Sequence, residues 1–66
     1  MNPFTVDKVP IGSKWMSAIR PDDVVQVLEV FQAENEVLLA DVADSSIKPY
    51  RMDFVKLRHR YLMLEV

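Results

Sequence analysis

Cysteine is absent from this 66-residue chain. That excludes disulfides and thiolate metal sites outright. A secreted domain of this size usually carries covalent staples, so the expected setting is a reducing cytoplasm. Glycine occurs once, at Gly12, which rules out a glycine-rich loop cradling phosphate. Histidine also occurs once, as His59 between Arg58 and Arg60. Nucleophilic catalysis needs a nucleophile, a base and an orienting group, and nothing in the spacing brings Ser45 and Ser46 to that histidine. The acid pairs Asp22-Asp23 and Glu34/Glu36 lack both the spacing and the turn glycine of a calcium loop. No metal, no cofactor and no enzymatic activity are therefore expected. Long apolar runs are missing as well. Val37-Leu38-Leu39-Ala40 is among the longest, against the ~20 residues of a membrane span. The first residues, Met1 to Asp7, show neither the basic start nor the apolar stretch of a signal peptide.

What the chain does have is apolar content and segregated charge. Half of its residues are hydrophobic, too many for a disordered polymer. A domain of this length buries only about 60% of the surface its unfolded chain exposes. Some apolar side chains must therefore stay outside, and if contiguous they mark an interface. The formal charge is −2, unevenly spread. Between positions 21 and 44 lie Asp22, Asp23, Glu29, Glu34, Glu36, Asp41 and Asp44, with no base among them. Between 45 and 60 lie Lys48, Arg51, Lys56, Arg58 and Arg60, with Asp53 the one acid. Such asymmetry points to partners, unless the two segments pack side by side and neutralise each other.

The breakers divide the chain into short segments. Pro10 and Gly12 close a lead-in, residues 1–11. Arg20-Pro21-Asp22-Asp23 reads as a type I turn with proline in its second place. Asp44-Ser45-Ser46 is another turn, followed by Pro49. Between them, strands are predicted over 14–18, 24–31, 37–42, 47–52 and 61–66. The second is dense in β-branched residues, although Val24, Val27, Leu28 and Phe31 would also share a helical face. Its polar residues Gln26 and Glu29 sit three apart, which a bulge near Leu28 would reconcile with one polar face. Asn35 supplies the left-handed residue of the following hairpin. The acidic stretch should lie on that hairpin, with Glu34 and Glu36 at its tip. Asp53 is a good N-cap, and Phe54 and Leu57 stack on a single 3₁₀ turn. Arg58-His59-Arg60 reads as a polar break before the last strand. The expected core is Trp15, Val25, Val27, Val37, Leu39, Phe54, Leu57, Leu62 and Leu64, with Met16, Met52 and Met63 as gap-fillers.

Four strands, a helical turn and a fifth strand make the order of a mainly β, SH3-like five-stranded barrel occupying residues 1–66 as one domain. The skeleton Gly12-x-x-Trp15, Val25-x-Val27, Val37-x-Leu39-x-Asp41, Met52-x-Phe54 and Tyr61-Leu62-x-Leu64 resembles small SH3-like proteins encoded by bacteriophages and prophages. Where those proteins carry a glycine-containing turn between the first two strands, this chain has Pro21-Asp22-Asp23. The resemblance implies an accessory protein of a bacterial or host cytoplasm and no particular activity.

The functional expectation is non-enzymatic binding of a protein partner, a host protein or the chain's own copy. The expected site gathers Tyr50, Arg51, Lys56, Arg58, His59 and Arg60 into one patch that takes an acidic protein surface. A second reading makes segment 48–60 a nucleic-acid interface, because bases interleaved with aromatics can follow phosphates and stack bases. The chain's net acidity counts against it. A third reading makes segment 22–44 an acidic mimic of a DNA backbone.

Overall fold

The computed structural model describes residues 9–64. Its elements are β1 (Lys14–Ser17), β2 (Val24–Phe31), β3 (Glu36–Asp41), β4 (Tyr50–Asp53), α1 (Phe54–Arg60) and β5 (Tyr61–Met63). The five strands form one antiparallel sheet in the order β4-β3-β2-β1-β5. The fold is mainly β, with the element order expected from the sequence. The alternative helix across β2 does not form. The sheet does not close into a full barrel: β4 and β5 are its two edges and do not pair with each other. Instead α1 packs against both.

The pleat explains the core. Trp15 of β1, Val25 and Val27 of β2, and Val37 and Leu39 of β3 alternate with outward residues and are buried. Register passes from Val27↔Leu39 to Glu29↔Leu38, so Leu28 is the extra residue of a bulge. The bulge returns Val30 to the inner side, where it packs against the core. Val9 is buried too and was not expected. Phe54 and Leu57 of α1 cover the open side, and the Phe54 ring meets Trp15 edge-on with centroids 6.4 Å apart. The indole nitrogen of Trp15 donates to Ser13 Oγ at 3.1 Å, which satisfies its one buried donor.

Local chemistry fixes the connections. Asn35 turns the β2–β3 hairpin at φ 54°, and its carbonyl accepts the amide of Phe54 at 3.0 Å. Asp53 caps α1: its Oδ1 accepts from the amides of Val55 (2.8 Å) and Lys56 (3.3 Å). Gly12 holds φ 93°, a conformation that side-chain-bearing residues resist. That turn places its amide 2.7 Å from the Val27 carbonyl.

Four expectations need correction. The helical element is an α-helix of seven residues and not one 3₁₀ turn. Arg58, His59 and Arg60 form its last turn, where cations offset the unpaired carbonyls of a helix end. β4 starts at Tyr50 and not at 47, because Ile47 still closes a turn onto Asp44 and Pro49 has no amide to donate. The last strand runs in the opposite phase. Tyr61 pairs with inward Ser17 and Leu62 with outward Met16, so Leu62 stands 58% exposed and Leu64 is only half-buried. Glu65 and Val66, expected to complete that strand, and residues 1–8 of the lead-in lie outside the described residues.

The division between covered and open positions has a measurable consequence. Leu39→Ala removes a fully buried side chain and is expected to cost ~2–5 kcal/mol. Val55→Ala, on the exposed side of α1, is expected to change stability by no more than about 0.5 kcal/mol. Urea denaturation of both variants checks the contrast. Equal midpoints would contradict the core assignment.

Candidate functional site

The connection from β1 to β2 contains no glycine, yet it is tightly held. Ser17 is buried, and its Oγ accepts the amides of Ile19 (3.3 Å) and Arg20 (3.2 Å). The amide of Asp23 donates to the Arg20 carbonyl at 2.9 Å, closing the expected turn over Pro21 and Asp22. Ser17 in turn donates its amide to the Asp23 carbonyl, and Ala18 donates to the carbonyl of Arg60, each at 2.9 Å. The last bond joins the loop to the end of α1. Five hydrogen bonds therefore fix a short loop that presents Ile19 at 86% exposure.

Loop and helix end enclose a groove of about 370 Å³. Ser17, Ala18, Ile19, Arg20 and Asp23 line one side, and His59, Arg60 and Tyr61 the other. The Tyr61 hydroxyl donates to Asp23 Oδ2 at 3.2 Å, and the Tyr50 phenol lies close enough to influence the Tyr61 phenol. Burial, reinforced by the Asp23 charge and by Tyr50, pushes the Tyr61 phenol up to about 12. Burial and the charges of Asp23 and Asp41 raise Tyr50 as well, against the opposing effect of Tyr61. Asp23 is thus engaged by a neutral phenol, which leaves Arg20, His59 and Arg60 as the groove's outward polar groups. A smaller recess of about 180 Å³, lined by Val55, Arg58 and His59, lies alongside on the helix.

The six residues singled out in the sequence do not converge on one patch. His59 and Arg60 line the groove, and Arg58 joins His59 in the neighbouring recess. Tyr50 reaches the groove only through Tyr61. Lys56 is exposed on α1 and lines neither space. Arg51 is committed elsewhere: its Nε lies 2.8 Å from Glu36 Oε1 and its Nη2 3.8 Å from Glu34 Oε1. Its guanidinium also stacks 3.9 Å from the Phe31 ring centre. Here basic and acidic segments do neutralise each other, at the hairpin tip. The groove adds Arg20 and Asp23, which sequence reading treated as turn residues, and Ile19, which it assigned to no element. The available signal was an isoleucine set directly before the Arg20-Pro21-Asp22-Asp23 turn, where an apolar side chain has no core to reach.

Ser17, His59 and Asp23 share the groove, but among the described residues no hydrogen bond joins His59 to either. Ser17 Oγ faces two backbone amides and Asp23 faces Tyr61. No cluster of three or more metal-ligating side chains occurs among the described residues. No helix among them is long and apolar enough to cross a membrane. Comparison with protein-family models, with curated proteins and with solved structures found no match.

The tyrosine pair links stability to alkaline pH. A phenol whose folded pKa lies above the ordinary 10.0 favours its neutral form in the folded state. The unfolded chain ionises first, so this contribution is intact below pH 10 and is lost as pH rises through about 12. The unfolding midpoint of the wild type is expected to fall across that window, and that of Tyr61→Phe to fall less steeply. Parallel curves for the two proteins in urea titrations at stepped pH would refute the linkage.

Proposed function

We propose that this chain is a non-enzymatic protein-binding module that takes an acidic segment of a partner in the groove between the β1–β2 loop and the end of α1. The observation that carries this reading is Ile19, held 86% exposed by a hydrogen-bonded loop at the rim of a groove lined by Arg20, His59 and Arg60. A rigid apolar anchor beside charge-bearing forks is the composition of an interface centre: the anchor enters a pocket and the arginines pair with carboxylates. Preorganisation of the loop lowers the ordering cost of binding. On this reading the partner is a host protein, and the chain is an accessory protein of the phage or prophage kind that its sequence resembles.

The competing reading is nucleic-acid binding through the bases of α1. Asp23, which lines the groove, disfavours a long polyanion there. Isotope-labelled protein titrated with a short peptide alternating glutamate and leucine decides between the two. The expected result is a set of amide shifts confined to Ile19, Arg20, His59, Arg60 and Tyr61. Those shifts are lost in Arg60→Glu, while Lys56→Glu retains them. Tighter, steeply salt-dependent binding of a mixed-sequence oligonucleotide would favour the competing reading.

A further inference from the structure

The outer face of the sheet carries an apolar row that the groove does not use. Strand register sets Leu62 of β5 beside Met16 of β1, and Met16 beside Val24 of β2. One step beyond the Val25↔Asp41 pair, the amide of Val42 donates to the Val24 carbonyl at 3.0 Å, which continues the line. The pleat turns Trp15, Ser17 and Val25 inward, so these four side chains face out. The row's ends are open, Leu62 at 58% and Val42 at 46%, while Met16 and Val24 are half-buried. This is contiguous apolar exposure running across four neighbouring strands' width, unlike the scattered single residues of an ordinary surface.

The two ends differ in charge. The Leu62 end follows Arg60, which leads directly into β5. The Val42 end lies between Asp41 and Asp44. Asp44 is fully exposed, and its hydrogen bonds with Ser46 hold its carboxyl below the usual range, so it is charged at neutral pH. One end of the row therefore carries a base and the other carries acids.

We propose that this row docks on the same row of a second copy, about a two-fold axis running along the strands between β1 and β2. That axis reverses the row. Leu62 then covers the partner's Val42, Met16 covers the partner's Val24, and the Arg60 end meets the partner's acidic end twice over. A closed two-fold contact requires such a self-complementary surface. The reversal of charge from end to end selects a second copy as the occupant, because each copy supplies at one end what the other needs there. This contact stands on the sheet face and shares only Arg60 with the groove.

Sedimentation of the full chain over a range of micromolar concentrations tests it. A reversible dimer is expected for the wild type. Leu62→Lys and Val42→Lys are each expected to abolish it with the backbone spectrum unchanged, since both side chains are exposed. Asp44→Arg is expected to weaken it by roughly tenfold or more through like-charge contact. Adding Arg60→Asp to that variant is expected to restore it. A wild type that stays monomeric overturns the second copy and leaves the row to a different protein surface. A dimer that survives Leu62→Lys overturns the face, and a charge swap that fails to restore association overturns the two-fold arrangement. Arg60→Asp also removes a groove residue, so peptide binding is measured in parallel on Leu62→Lys. Retained peptide binding there with lost dimer separates the two surfaces.

Discussion

The seating of Phe54 and Leu57 against the open side of the sheet is the contact on which everything else rests. Five strands that do not close leave one flank of the core facing water, and a chain this short has little apolar mass to cover it. A helix of seven residues is marginal alone. It forms here because Asp53 satisfies two amides at its start and the Asn35 carbonyl takes a third. The same helix packs against both sheet edges, and Tyr50 of β4 and Tyr61 of β5, the latter bonded to Asp23, form a seam between strands that never pair. Core, helix and seam are one continuous arrangement.

The groove is a by-product of that arrangement. A lid that ends at Arg60 must hand the chain directly to β5, and the freed carbonyl of Arg60 captures the Ala18 amide. This brings the β1–β2 loop against the helix terminus. Bases are favoured at that terminus for reasons internal to the helix, so a cationic rim arises before any ligand is considered. What helix chemistry does not require is an almost wholly exposed isoleucine on a braced loop. Ile19, more than the arginines, is therefore the residue that sets this surface apart.

Strand positions were readable because hydrophobic alternation and turn residues agreed with each other. The bulge at Leu28 followed from two polar residues three apart, and the Asp53 cap from its place before Phe54 and Leu57. The last strand was misread by one residue. Tyr61-Leu62-Met63-Leu64 is apolar throughout, so alternation carries no phase there, and a helix longer than one turn decided which side faced in. The pairing of Arg51 was not legible for a different reason. Sequence proximity said nothing of the fact that β4 points Arg51 at Glu34 and Glu36 while α1 points Arg60 at the opposite end. Val9 was missed because an isolated valine beside a proline shows no period at all.

The strand order has a kinetic side. β1 through β4 are joined as successive neighbours, each pairing the next along the chain, so they assemble through short-range hairpins on a microsecond scale. β5 is the exception: it must find β1 across the whole intervening chain. Closing that distance carries the largest loop entropy in the molecule and rewards it with three paired residues. The docking of β5 therefore carries the highest loop-closure cost of any pairing in the sheet. Until it occurs, the outer edge of β1 is an open template in every nascent copy of the chain.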